Sequence, residues 1–144
     1  MSLPIALVIV AALLAATVLV GVLLRRRDGR AVAVHGDRVV DPADLMRPLG
    51  ARATLVQFST EFCARCPQVR RLLGSVAAER PGVVHTEVDL TSRADLAARY
   101  RVLATPTTLV VDPDGRIRSR FTGAPSRADV LTALDRALPE EARP

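Results

Sequence analysis

The sequence predicts an α/β domain, with a mixed central sheet and helices on both faces, preceded by one transmembrane helix at the N-terminus. Three observations predict it. β-branched apolar runs alternate with stretches whose apolar residues recur at helical spacing, the pattern of a layered α/β architecture. The early runs are joined by helical crossovers and imply parallel neighbours, whereas the short turn Asp112-Pro113-Asp114-Gly115 implies an antiparallel hairpin. Leu3 to Leu24 carries no charged residue and, at about 1.5 Å per residue, is long enough to cross a bilayer.

The chain has 144 residues, 49% of them hydrophobic, and a formal net charge of +5. Beyond the apolar stretch roughly 110 to 120 residues remain, enough for one small domain. All the basic charge is arginine, interleaved with acidic residues, and aromatic residues make up 3% of the chain. That leaves little for stacking on bases, so nucleic-acid binding is not expected.

The apolar stretch lacks the basic start and the small-residue cleavage site of a signal peptide, and Arg25-Arg26-Arg27 follows it directly. It reads as an uncleaved anchor over 1–24, followed by a basic linker over 25–30. Positive residues flanking a span stay in the cytoplasm, so the domain over 31–138 is expected to face that side, although an outward-facing arrangement is the alternative. Residues 139–144 form a polar tail.

Within the domain, Ala31 to Val34 and Val39-Val40 are β-prone pieces around a turn at Gly36-Asp37, either of them a candidate edge strand. Asp41 caps a short helix that Pro42 opens and Gly50 closes. Ala53 to Phe58 is a buried strand. Val69, Leu72, Leu73, Val76 and Ala77 then repeat at helical spacing until Pro81-Gly82. Val83 to Asp89 is the next strand. Thr91 or Ser92 caps a helix running to about Tyr100. Thr107 to Val111 and Arg116 to Thr122 form the hairpin strands. Ser126 caps a last helix buried through Val130, Leu131, Leu134 and Leu138.

Both cysteines lie in Phe62-Cys63-Ala64-Arg65-Cys66-Pro67, between the buried strand and its helix. Unpaired backbone N–H groups at a helix start favour a thiolate, and two thiols on one helical turn are able to close a disulfide. A structural staple usually closes a longer loop. A zinc site would need His35 and His85 to converge on the pair, and their spacing fits no zinc-finger pattern. A redox dithiol is the reading favoured.

With the loop Ala104-Thr105-Pro106-Thr107 some forty residues on, and Gly123 after the last strand, the pattern from Ala31 to Leu138 resembles the thioredoxin family. The resemblance implies a thioredoxin-like fold and a thiol–disulfide oxidoreductase. It implies that Cys63 attacks a substrate disulfide and that Cys66 resolves the mixed disulfide. It also places Pro106, as a cis-proline, against the pair, with the Thr105 backbone offered to an incoming peptide strand. No cofactor beyond the Cys63–Cys66 disulfide is implied, and no metal.

The chain departs from the family pattern in three places. Phe62 replaces the usual tryptophan and reads as a wall beside Cys63 or as packing. Arg65, in the Ala64-Arg65 pair, either stabilises the Cys63 thiolate or points into solvent. Gln57 stands where many thioredoxins carry a buried aspartate, and an amide takes no proton at neutral pH, so resolution would rely on water or on Glu61.

The favoured function is therefore a membrane-tethered thiol–disulfide oxidoreductase. Its substrate would be a protein or small-molecule disulfide, and its redox partner a separate protein, an integral membrane protein being one candidate. The alternatives are a non-enzymatic adaptor in a membrane complex and a protein that handles metal through two thiolates.

Overall fold

A computed structural model describes residues 2–27, 29–34 and 38–138. The anticipated turn at Gly36-Asp37, His35 and the tail over 139–144 lie outside the described residues. The elements in chain order are α1 (Leu3–Arg27), β1 (Ala31–Ala33), α2 (Pro42–Leu45), β2 (Ala53–Ser59), α3 (Cys66–Glu79), β3 (Val83–Asp89), α4 (Ala94–Arg99), β4 (Thr107–Val111), β5 (Ile117–Thr122) and α5 (Arg127–Ala137).

The strands form one mixed sheet in the order β1-β5-β4-β2-β3. β2 pairs parallel with β3 and antiparallel with β4, and β4 pairs antiparallel with β5 through the anticipated hairpin. Every residue of β2 is buried, because this strand has neighbours on both sides and helices on both faces. On one face Leu55 and Val110 pack with Leu73 and Val76 of α3 and with Val130 and Leu134 of α5. On the other, Val56, Phe58 and Leu109 pack with Leu45 of α2, Leu96 of α4 and Tyr100. The Phe58 and Tyr100 rings stack with centroids 5.3 Å apart, which makes Tyr100 the helix-to-sheet contact its position suggests.

Several local expectations are corrected. The first βα crossover does not place β1 beside β2: β1 runs antiparallel to β5 at the far edge, so β3 is the opposite edge. Val39 makes only an isolated bridge to Arg116. α2 keeps its Asp41 cap, whose carboxylate accepts from the Ala43 N–H at 2.9 Å, but it ends at Leu45 because Met46 turns left-handed at φ 52°. Gly50 has another role: a Cβ there would lie 2.2 Å from the Ala53 carbonyl oxygen, so the backbone approach excludes a side chain. α4 starts after Arg93 without a side-chain cap. Thr91 instead bonds the Asp89 carboxylate through both its N–H and its hydroxyl. Ser126 caps α5 as expected, accepting from the Asp129 N–H at 3.1 Å.

α1 has the length and composition to cross a membrane, with a mean hydropathy of 3.0 over its apolar stretch, and no residue from Leu3 to Leu24 is buried.

Candidate active site

β2 ends at Ser59, and the chain turns through Thr60-Glu61-Phe62 before the cysteines. The Cys63 N–H donates to the Thr60 carbonyl at 3.2 Å and the Cys66 N–H to the Cys63 carbonyl at 3.2 Å. Cys63 therefore lies in a turn ahead of α3, not on its first turn, and Cys66 is the first helical residue. Pro67 is the physical reason. It has no N–H to give the Cys63 carbonyl, so the regular helical pattern starts with the Val69 N–H to the Arg65 carbonyl at 3.2 Å. The proline falls within the first turn, where an N–H has no helical partner to lose.

Cys63 and Cys66 form a disulfide, S–S 2.02 Å with Cα atoms 5.4 Å apart. The pair is asymmetric. Cys63 is partly exposed and Cys66 is 2% exposed. An outside reagent reaches Cys63 first, whereas Cys66 faces the sheet.

The Thr105-Pro106 peptide is cis. The Thr105 and Thr60 hydroxyls hydrogen-bond at 3.2 Å and so join the proline loop to the turn that carries Cys63. The Pro106 carbonyl accepts from the Gly123 N–H at 2.8 Å, and Gly123 is at φ 86°, a conformation that favours glycine. Phe62 is 89% exposed.

Beneath Cys66 the sheet presents a polar row. Gln57 is fully buried; its Nε2 donates to the Cys66 carbonyl at 3.0 Å, and its Oε1 lies 3.2 Å from Nε2 of His85. Because the amide nitrogen is committed to Cys66, the amide oxygen is the acceptor, and His85 carries its proton on Nε2. Glu87 pairs with Gln57 in register and receives Arg70 in a two-pronged ion pair, Nη2 to Oε1 at 2.8 Å and Nε to Oε2 at 2.5 Å. A cavity of about 360 Å³ opens beside the disulfide, lined by Cys63, Cys66, Glu61, Arg70, Glu87 and Asp89 among others.

The sequence left Arg65 either beside the thiolate or in solvent. Arg65 is exposed and does not line this cavity; the arginine that shares it with both sulfurs is Arg70, one turn along α3. Glu61 does line it, exposed, with its N–H on the Thr91 hydroxyl at 3.0 Å. His85, weighed from sequence only as a zinc ligand, lies on the edge strand β3 and is linked to the Cys66 carbonyl through Gln57. The signal for Glu87 and His85 was present in the chain. They lie two apart on one strand and so share a face, and a parallel neighbour of β2 must bring that face beside Gln57. Among the described residues no cluster of histidine, cysteine or carboxylate side chains is arranged to hold a metal ion.

Burial pushes the His85 imidazole below its usual range, with the Glu87 charge opposing and the Arg70 charge reinforcing that shift. Burial pushes the Glu87 carboxyl up, but the hydrogen bonds from Arg70 and from the Ser59 hydroxyl outweigh it and hold the group below the ordinary carboxylate range. Both groups therefore bind protons more readily in the unfolded chain. The His85 contribution to stability is complete above pH of about 6.5 and is lost as pH falls through its depressed folded value. The Glu87 contribution goes in a lower window, below pH of about 4.5. Urea midpoints of the detergent-solubilised chain should fall in two stages on acidification. The upper stage should vanish in His85→Gln, and an unchanged profile in that variant would show that the imidazole is not the titrating group.

The thioredoxin family model matches residues 44–136. The chain is 26% identical over 99 residues to a thioredoxin of Chlamydia trachomatis, covering 69% of this chain and 96% of that protein. It is 29% identical over 82 residues to a thioredoxin of Methanocaldococcus jannaschii, covering 56% of this chain and 91% of that protein. The X-ray structure of Fasciola hepatica thioredoxin superposes with a TM-score of 0.54 at 28% identity, covering 61% of this chain and 83% of that one. A Cys-x-x-Cys disulfide half open to solvent at the end of the central strand is a site for thiol–disulfide exchange, and on these matches the chain belongs to the thioredoxin family.

Proposed function

We propose that the protein is a membrane-tethered thiol–disulfide oxidoreductase in which Cys63 attacks and Cys66 resolves. The observation that carries this order is the asymmetry of the pair, an accessible Cys63 bonded to a buried Cys66. In the reducing direction the Cys63 thiolate attacks one sulfur of a substrate disulfide and releases the other as thiolate. The Cys66 thiol gives up its proton and its sulfur then attacks Cys63, which closes the Cys63–Cys66 bond and frees the second substrate thiol. The substrate leaves with two electrons gained, and the protein holds the disulfide.

The supporting residues follow from their places. Thr105 and Pro106 form the ledge on which a substrate strand lies, with Phe62 beside it as an apolar wall. Gln57 fixes the Cys66 backbone. With an amide at that position, resolution relies on water or on Glu61, which lines the cavity and is exposed, whereas Arg70 holds both oxygens of Glu87.

The apolar α1 supports anchoring, and the arginines after it support a domain on the cytoplasmic face, where the pair would act mainly as a reductant. The test is a redox titration of the purified chain against dithiothreitol, paired with a reporter fused after Pro144. A single two-electron transition that disappears in Cys63→Ser, with the reporter active only on the cytoplasmic side, is the expected result. The absence of any reversible transition would remove the enzyme reading, and a reporter active outside would reverse the topology.

A further inference from the structure

The sheet register places the point where the anchor joins the domain at the same end as the disulfide. Ala31 pairs with Phe121, Phe121 with Thr108, Thr108 with Gln57 and Gln57 with Glu87, so the first residue of β1 lies in the row that passes beneath Cys66. β1 runs antiparallel to β2. The chain thus enters the sheet from the end at which β2 delivers its cysteines and runs away from it.

The joint is held by direct contacts. The Gly29 N–H donates to the Thr122 carbonyl at 2.7 Å, and Gly29 is buried at φ 77°, where a Cβ would lie 2.2 Å from the Ala124 carbonyl oxygen. The next residue after Thr122, Gly123, bonds Pro106, and Thr105 bonds Thr60 just ahead of Cys63. From the anchor's exit to the nucleophile there is one continuous run of bonded loops. Only Asp28 separates the end of α1 from Gly29.

The distances are short. Leu24, the last apolar residue, and Gly29 are five residues apart, a reach of at most about 18 Å. Thr122 and Phe58 are two strand spacings apart, about 10 Å. The disulfide is therefore tethered on the order of 25 Å from the hydrocarbon edge. Phe62 and Leu103, 89% and 97% exposed, are large apolar side chains at this same end.

We propose that the disulfide end of the domain faces the membrane, and that its partner is a membrane-embedded protein presenting a disulfide or dithiol at the lipid surface within an apolar surround. The inference rests on the oxidoreductase and anchor readings above. A partner of this kind meets Cys63 without the domain turning over, and the tether keeps the effective concentration of the pair high only for groups within that reach.

The test uses the full chain in phosphatidylcholine vesicles, reduced with dithiothreitol and desalted. Two probes are offered: a phosphatidylethanolamine with a pyridyl disulfide on its headgroup, and a water-soluble pyridyl disulfide. Attack by Cys63 on either releases pyridine-2-thione, and closure of the Cys63–Cys66 bond by Cys66 then releases the probe's thiol. A comparison variant carries an alanine-rich helical spacer of about 20 residues, about 30 Å, between Arg27 and Asp28. The spacer leaves Gly29 and the site unchanged.

The expected result is that the spacer slows thione release from the headgroup probe at least about tenfold and leaves the soluble probe unaffected. Equal rates on the headgroup probe with and without the spacer would overturn the proposal, as would a native chain that ignores that probe while consuming the soluble one. Failure of both chains on the soluble probe, or loss of the chain from vesicles in alkaline carbonate, would overturn it together with the underlying reading, and the two results are told apart by which arm fails.

Discussion

Replacing Cys66 by serine should leave Cys63 covalently attached to its substrate and lower turnover by about a thousandfold or more. The reasoning is geometric. In the disulfide the Cys63 sulfur is the one open to solvent, so the first exchange needs nothing from residue 66. The second exchange needs a sulfur at that place, and a serine hydroxyl is far too weak a nucleophile toward a disulfide at neutral pH. Mass spectrometry of the chain after incubation with an unlabelled disulfide should show one adduct per molecule, mapped to Cys63. Cys63→Ser should show none, because the remaining thiol is buried. Turnover by Cys66→Ser at the native rate would mean that the second thiol takes no part.

Phe58→Ala should cost about 3–5 kcal/mol of folding stability. The ring is fully buried in the central strand, stacked on Tyr100, within the layer that also holds Val56, Leu96 and Leu109. Removing it opens a cavity between β2 and α4 and takes from Tyr100 the surface that fixes its ring. Tyr100 in turn donates its hydroxyl proton to Asp44 at 2.5 Å and accepts from the Asp41 N–H at 3.2 Å, so the α2 end of the domain loosens with it. Small domains hold about 5–15 kcal/mol in all, so a loss of this size is a large share. Urea unfolding of the detergent-solubilised chain should show a markedly lower midpoint at an unchanged slope. Phe62→Ala, the same change at an exposed position, should move the midpoint by less than about 0.5 kcal/mol equivalent. Similar losses for the two variants would refute the assignment of Phe58 to the core.

Much of this fold was legible in the chain, for reasons that particular residues make plain. Asp112-Pro113-Asp114-Gly115 forces a tight reversal, and β4 and β5 pair as that reversal requires. The apolar stripe of α5 and its Ser126 cap are local signals, and they hold because nothing distant competes with them. The place of β1 was not legible. A three-residue strand with no buried residue carries no pattern that distinguishes one sheet edge from the other, and only pairing with Phe121 decides it. The length of α2 depended on one left-handed residue, Met46, of a type that rarely announces such a turn.

At the candidate site the cysteines, Thr105 and Pro106 were readable because their chemistry is local to a motif. Arg70 was not, and His85 and Glu87 were legible only as two residues sharing a strand face, because what each of them meets lies across the sheet. Arg70 on α3 meets a carboxylate 17 residues away, and His85 meets an amide 28 residues away. Arg65 attracted attention by standing between the cysteines, yet the turn aims it outward. Proximity along the chain and proximity in space part company where a helix crosses two strands.

β3 has a further consequence as the outermost strand. Among the described residues no strand pairs with its far side, so one row of main-chain donors and acceptors is left without a neighbouring strand. Rims of this kind recruit foreign strands and seed fibrils unless charge deters them. Here the deterrent is the ion pair of Glu87 and Arg70, the same two side chains that border the sulfur cavity. The two side chains that border the sulfur cavity thus also guard an open sheet rim, so a variant that removes either one should be checked for self-association as well as for exchange.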